Sequence, residues 1–323
     1  MQLYLLINQT CNLKCKFCIR GENKLCDINL EYLEKIIAVN DFSKYTLIIT
    51  GGEPSISKNL IKVIEICYGK FKKICINTNG VNGEWIDKLR QTDIHIQISI
   101  DGTAEVHNSI RGNGNDIFSK IESNIQKIWT KKIPYCISTT VDKYNYRNIY
   151  DLVNYIPLFQ GMRYWKISPV LPFGCASIDN IISVNEWNEL VDYILDHATV
   201  RVKMKKLFSF ELLDKFIDKG GKAPSIIKNC GDVRNKIYVY PDFTVYPCTC
   251  LTDFPIGNLL NSSLKDILES DAAKIFSGYK VREGSVCSKC KYLQYCNGGC
   301  IGMSYNYFGK LGEGDFRCPL IKK

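Results

Sequence analysis

No stretch of this 323-residue chain is apolar over the roughly 20 residues that a bilayer crossing needs. The N-terminus, MQLYLLINQT, has no basic opening, no apolar segment of signal length and no small-residue cleavage site. Together these absences point to a soluble, cytoplasmic protein that neither spans nor anchors to a membrane. There is no low-complexity tract, so nothing reads as disordered. No Gly-x-Gly-x-x-Gly follows the first strand-like segment, which disfavours a dinucleotide-binding fold. A basic tail is also missing. The formal charge is +9, but Lys and Arg are dispersed, and the densest segment, VRVKMKK at 200–206, has no interleaved aromatics. Nucleic acid is therefore not an expected partner, and long-range attraction of an acidic peptide or RNA is the weaker alternative.

What the chain does have is sixteen cysteines. Thiols stay reduced in the cytoplasm, so clustered cysteines there indicate metal rather than disulfides. They sit on a regular alternation of strand and helix patterns. Strand-like runs occur at 2–8, 45–50, 72–77, 94–100, 134–141 and 163–168, and amphipathic helical patterns at 30–39, 60–69 and 117–129. Six βα repeats in series imply a parallel sheet with helical crossovers, an α/β fold of the partial TIM-barrel kind. The expected organisation is a barrel over 1–205, a connector over 206–228 and a small cysteine-rich domain over 229–323, stapled by metal and carrying a hairpin around Pro241 and Asp242.

The fourth and sixth strands carry a signal of their own. Ile94, Ile96, Ile98 and Ile100 share one face, and His95, Gln97, Ser99 and Asp101 the other. Tyr164, Lys166 and Ser168 likewise share a side. A packed barrel fills its interior with branched apolar residues, so a polar inner face indicates a cavity; an edge strand with a wet face is the alternative.

Cys11, Cys15 and Cys18 follow the first strand with C-x3-C-x2-C spacing. Three thiolates on one short loop can hold three irons of a cubane and leave the fourth open to a ligand. Zinc normally seeks four ligands and no fourth Cys or His lies nearby in sequence, so a zinc site would have to be completed from elsewhere. The run Cys-Asn-Leu-Lys-Cys-Lys-Phe-Cys, directly after the first strand of a βα barrel, resembles the signature of radical S-adenosylmethionine enzymes, with Phe17 before the last cysteine. Gly51, Gly52, Glu53 and Pro54 at the end of strand two are similar to that family's GGEP motif. The resemblance implies a [4Fe-4S] cluster on Cys11, Cys15 and Cys18 whose open iron takes the methionine moiety of S-adenosylmethionine. Phe17 would then lie beside the adenine, and the backbone of Gly51, Gly52 and Glu53 near the amino group. Ser99 would serve the carboxylate or ribose, with Asn79 and Asp101 nearby and Arg111 and Lys166 as further carboxylate binders.

Cys287, Cys290, Cys296 and Cys300 have C-x2-C-x5-C-x3-C spacing, with Cys230 and Cys248 before them and Cys318 after. These seven thiols exceed the needs of one four-ligand metal. Paired zinc ribbons and two iron-sulfur clusters fit the spacing equally. The pattern resembles the SPASM extension of radical enzymes, which implies one auxiliary cluster on Cys287, Cys290, Cys296 and Cys318 and another on Cys230, Cys248 and Cys300. Two departures stand out. Phe243 occupies the position of a usual glycine, and no cysteine shortly precedes Cys230, so Cys250 becomes a candidate fourth ligand. Among the remaining cysteines, Cys67 and Cys75 read as small core residues, whereas Cys136, Cys175 and Cys250 are candidate hydrogen-atom donors.

The resemblance further implies reductive cleavage of S-adenosylmethionine to a 5′-deoxyadenosyl radical that abstracts hydrogen from a substrate carbon. A reduced flavodoxin or ferredoxin would supply the electron. The expected substrate is a ribosomally made precursor peptide receiving a cross-link, thioether or epimerisation, as in oxidoreductase-type peptide maturases. Because the chain opens at strand one, leader recognition is expected from a separate protein or from another surface of this one. The alternatives are a radical dehydrogenase or epimerase of a sugar or other small molecule, and a zinc-binding protein without catalysis.

Overall fold

The computed structural model describes residues 1–21, 26–90, 93–221 and 231–321. Six strands, β1 (Gln2–Leu6), β2 (Thr46–Thr50), β3 (Lys73–Thr78), β4 (His95–Ser99), β5 (Tyr135–Val141) and β6 (Met162–Pro169), lie side by side in chain order and pair in parallel. The connections carry α1 (Leu30–Val39), α2 (Leu60–Cys67), α3 (Glu84–Lys88), α4 (Ala104–Arg111), α5 (Phe118–Thr130) and α6 (Ile149–Tyr155). Short β7 (Val202–Lys203), which follows α7 (Val184–His197), pairs in parallel with β6 and forms one edge of the sheet. The six βα repeats are those that the hydrophobic periodicity predicts.

The helices form because their apolar residues recur on one face. In α1, Leu33, Ile36 and Ile37 are buried, and the Asn29 side chain accepts from the Tyr32 amide to satisfy one of the free donors of the first turn. Ser183 and Glu186 cap α7 reciprocally. These helix stripes meet the outer face of the sheet, where Leu47, Ile49, Ile76, Ile96, Ile98, Ile137, Trp165 and Ile167 are almost fully buried. Burying each such side chain contributes about 1.5–3 kcal/mol. The inner face carries Asn77, Gln97, Ser99, Ser138, Thr140, Lys166 and Ser168, all half-buried. The polar alternation read from β4 and β6 is therefore the wall of a hollow half-barrel.

At the other edge the chain returns from a distance. After α8 (Phe210–Asp218), β8 (Lys236–Val239) adds to β1 in parallel, and β9 (Thr244–Tyr246) and β10 (Gly257–Asn258) continue antiparallel. The hairpin expected in the cysteine-rich segment is present, and it extends the barrel sheet instead of standing apart. Its turn holds Phe243 at φ +63°, a left-handed conformation unfavourable for a side-chain-bearing residue. The ring is 1% exposed, and that packing offsets the strain. Four short helices, α9 (Leu264–Glu269), α10 (Asp271–Ser277), α11 (Leu293–Cys296) and α12 (Ile301–Phe308), complete the chain. No helix among the described residues is long and apolar enough to cross a membrane.

Candidate functional site

The C-terminal ends of the parallel strands open on a cavity of about 350 Å3. Its wall includes Cys11, Cys15, Phe17 and Cys18 from the loop after β1, Gly51, Gly52 and Glu53 after β2, and Asn77, Thr78 and Asn79 from the end of β3. Ser99, Arg111, Thr140 and Ser168 close the other side. Strand ends are where such barrels assemble binding sites, and the size suits a nucleotide-like ligand.

The two glycines after β2 act on the chain itself. A Cβ on Gly51 would fall 2.2 Å from Asn8 Oδ1, and one on Gly52 would fall 2.2 Å from the Thr10 carbonyl. Their lack of a side chain lets the Gly52 amide donate to the Asn8 carbonyl (3.1 Å) and the Glu53 amide to the Thr10 carbonyl (2.8 Å), tying β2 to the start of the cysteine loop. The Glu53 side chain is 2% exposed. It accepts from the Ser55 amide (3.0 Å), Thr78 Oγ1 (2.7 Å) and the Asn79 amide (2.6 Å), so it binds the ends of β2 and β3 together. Burial raises its pKa despite these donors. Asn79 Nδ2 donates to Asn12 Oδ1 at 2.8 Å and lies 4.0 Å from the Cys11 sulfur. Burial, with Glu53 and the two neighbouring thiols adding to it, pushes Cys11 up to about 11.

Across the cavity, Asp101 is fully buried. One oxygen accepts from the Thr140 amide (2.7 Å) and the other from Arg111 Nε. The Asp101 amide donates to His107 Nδ1 at 3.1 Å, which fixes the imidazole tautomer, and burial pulls His107 down to about 3. Held in this way, the Arg111 guanidinium reaches Cys15 Sγ (3.8 Å) and lies 5.2 Å from the Phe17 ring centre. Phe17 packs on Ile110, Val170 and Ala176. Asp101 therefore faces Arg111, not the open cavity.

Lys166 lies beside the cavity wall, near Cys75, Cys136, Lys203 and Lys236. Cys136 is fully buried next to Tyr164. The amide of Cys175 donates to the Cys18 carbonyl (2.8 Å), while its own thiol is exposed and points to the Gly21 carbonyl (3.9 Å).

In the C-terminal segment Cys287, Cys290, Cys296 and Cys318 line one small, largely apolar chamber with Phe208, Phe210 and Leu293. Burial and the three other thiols push Cys287 up to about 11. Cys248 and Cys250, each 7% exposed, form a second group with Cys300. The Cys250 thiol donates to Cys248 and lowers its pKa. Arg317, paired with Asp315 at 2.7 Å, sits by Cys250 and Cys300, and the Cys300 amide donates to Asp315 (3.2 Å). Cys230 lies outside the described residues. Among the described residues no three His, Cys, Asp or Glu converge as they would around a single ion; the thiols wall chambers instead. Sequence reasoning missed Asn8, Thr78, His107 and Asp315, common residue types whose roles depend on contacts distant in sequence.

The half-barrel, its thiol-bearing first loop and its strand-end cavity define a class, and the comparisons agree with it. Residues 5–156 match the Radical SAM superfamily model, so the half-barrel carries a Radical SAM domain. Residues 230–291 match the model of SPASM, an iron-sulfur cluster-binding domain, so a SPASM domain follows the Radical SAM domain in this chain. Among curated relatives, a cysteine-type anaerobic sulfatase-maturating enzyme of Clostridium novyi (strain NT) is 25% identical, covering 91% of this chain and 85% of that protein. The antilisterial bacteriocin subtilosin biosynthesis protein AlbA of Bacillus subtilis (strain 168) is 26% identical over 94% of this chain and 68% of its own. Among solved structures, Streptococcus suis SuiB superposes with a TM-score of 0.80 at 16% identity, over all of this chain and 77% of that one. A structure described as anSMEcpe with bound AdoMet superposes with a TM-score of 0.74 at 21% identity, over 99% of this chain and 90% of that one. At these identities the structural likeness establishes the fold.

Proposed function

We propose that the protein is an enzyme that modifies a ribosomally made peptide, holding S-adenosylmethionine and a [4Fe-4S] cluster in the strand-end cavity. The observation that carries this reading is that Cys11, Cys15 and Cys18 all line that cavity, with no further cysteine or histidine among the described residues lining it. Three thiolates suit a cubane with one open corner and leave a lone zinc under-ligated. When bound, the pair supplies a 5′-deoxyadenosyl radical from S-adenosylmethionine, on one-electron reduction by a flavodoxin or ferredoxin, and this abstracts a hydrogen atom from a substrate carbon.

This chain's residues supply position and exclusion of water. Asp101 holds Arg111 against Cys15 and Phe17, which steadies the thiol loop. Glu53 locks the ends of β2 and β3 so that Asn79 and Asn12 stand beside Cys11. Phe17 offers an apolar surface for the adenine, Ser99 a hydroxyl for the carboxylate or ribose, and the strand-end backbone at 51–53 carbonyls for the ammonium. In the C-terminal segment Cys287, Cys290, Cys296 and Cys318 would hold one auxiliary cluster. Cys248, Cys250 and Cys300, with Cys230, would hold a second. Cys250 would take the place left vacant before Cys230, because it hydrogen-bonds Cys248 and, like Cys300, lies beside Arg317.

Peptide work is supported by relatives described as sulfatase-maturating and bacteriocin-biosynthesis proteins and by a fold neighbour described as SuiB bound to precursor peptide SuiA. The anaerobically reconstituted protein is expected to form 5′-deoxyadenosine from S-adenosylmethionine and dithionite, and Cys11→Ala/Cys15→Ala/Cys18→Ala to form none. Product from the triple variant, or zinc in place of iron in the wild type, overturns the assignment. Mass spectrometry of a co-expressed precursor peptide identifies the bond made; an unchanged peptide alongside a turned-over small metabolite would overturn the substrate class.

A further inference from the structure

The ten strands contain six cationic or imidazole side chains, Lys73, His95, Arg163, Lys166, Lys203 and Lys236, and not one aspartate or glutamate. Lys166 and Lys203 share the inner face. Register partners run Ser99, Ser138, Lys166, Lys203 across β4, β5, β6 and β7. Ser99 lines the strand-end cavity. Neighbouring strands are about 4.8 Å apart, so the Lys166 backbone lies about 10 Å along that row from Ser99. It also lies about 6.6 Å down β6 from Ser168, another cavity residue. The lysines thus extend the cavity wall toward the open edge, where β7 ends the sheet.

Space exists there. Along β4, β5 and β6 the outward residues Ile96, Ile137 and Trp165 are fully buried, while the inward Gln97, Ser138 and Lys166 are reached by solvent. The Lys203 ammonium is set over the Tyr164 ring at 3.4 Å, and Tyr164 in turn meets His95 Nε2 at 3.3 Å. Among the described residues no carboxylate pairs with Lys166 or Lys203. A half-buried ammonium is costly without a counter-charge. Burial, with Lys236 and Lys203 adding to it and Cys136 and Cys75 opposing, lowers the Lys166 pKa.

We propose that Lys166 and Lys203 form a carboxylate-binding subsite on the open side of the half-barrel, which anchors an acidic group of the substrate beside the reacting centre. The proposal rests on the peptide-modifying reading above. A peptide's only unmodified anions are carboxylates, supplied by an Asp or Glu side chain or by the C-terminus, and either would complete the charge that the strands leave open. The row from Lys203 to Ser99 then sets the distance between the anchored residue and the one modified.

The test is calorimetric titration of the anaerobically reconstituted holoprotein, with S-adenosylmethionine present, using three probes. These are an acetyl-Gly-Glu-Gly amide, its Gln counterpart, and acetyl-Gly-Gly-Gly with a free C-terminus. The Glu peptide is expected to bind at least tenfold more tightly than the Gln peptide. That preference should be lost in Lys166→Gln/Lys203→Gln and kept in Lys166→Arg. Selective binding of the free-acid probe identifies the C-terminus as the anchored group, selective binding of the Glu peptide identifies a side chain, and equal binding of both over the Gln peptide shows that the subsite takes either carboxylate. Should the double variant lose iron, Lys203→Gln alone, at an exposed edge position, carries the comparison. Equal affinity of all three probes, including binding by none, overturns the proposal, as does an acidic preference that survives the charge-removing variants. Formation of 5′-deoxyadenosine by the unsubstituted protein keeps the two readings separable. If it persists without acidic preference, only the subsite fails; if it is absent, the functional reading fails first.

Discussion

Asp101 and Arg111 form the ion pair on which the thiol loop leans, with side chains 0% and 11% exposed. Removing one partner of a buried pair leaves the other charge without compensation, at about 3–5 kcal/mol. Asp101→Ala is therefore expected to lower unfolding stability by about that amount, read by chemical denaturation, and to reduce iron bound at the first loop while the C-terminal iron persists. Unchanged iron in the variant would mean that Arg111 does not steady Cys15. Cys250→Ser tests the other thiol group. A ligand role predicts altered electron paramagnetic resonance of the reduced auxiliary cluster and loss of iron from that site; an unchanged spectrum and iron count would assign Cys250 to packing. The thiols and the Gly-Gly-Glu-Pro run were legible because their residue types are rare or their spacing is short. His107 and Asp315 were not, because a single His or Asp acquires meaning only from the side chain it faces.

Elements meet at two close approaches that leave no room for change. A methyl group on Gly52 would overlap the Thr10 carbonyl at 2.2 Å. Gly52→Ala must then separate β2 from the cysteine loop, with a cost of about 1–3 kcal/mol, a lower midpoint in thermal unfolding, and weaker S-adenosylmethionine binding. The hairpin turn after β8 works in the opposite sense. Glycine at position 243 would relieve the positive φ, worth about 1–2 kcal/mol, yet removing a buried aromatic costs about 3–5 kcal/mol. Phe243→Gly should therefore destabilise, and a stabilised variant would show that the turn, not the core, limits this element. Periodicity located β1 to β6 with their main helices because each repeats its pattern within a few residues. The pairing of β8 with β1 was hidden, since nothing local in Lys236–Val239 says which strand it will join.

For the whole molecule, that pairing makes the C-terminal hairpin part of the barrel sheet. A fragment ending at residue 205 would leave the β1 edge unpaired, and exposed strand edges associate. It is expected to elute from size exclusion as aggregate, in contrast to the full chain; a monodisperse fragment with a cooperative melt would show that the half-barrel stands alone. The same continuity brings Arg20, beside the first thiol loop, to Tyr240 Oη at 3.0 Å, linking the loop of the first cluster to the hairpin that leads to Cys248.

The amino-acid sequence by itself determined the parallel α/β half-barrel, the polar inner face and the thiol motifs, because periodicity and short-range spacing are properties of neighbouring residues. Only the tertiary structure decided that Asp101 turns to Arg111, that the glycines after β2 serve the thiol loop, that Cys250 lies against Cys248, and that Lys166 and Lys203 stand in one row. Each of those depends on side chains from distant segments being packed to within a few ångströms, and sheet register and burial select such contacts.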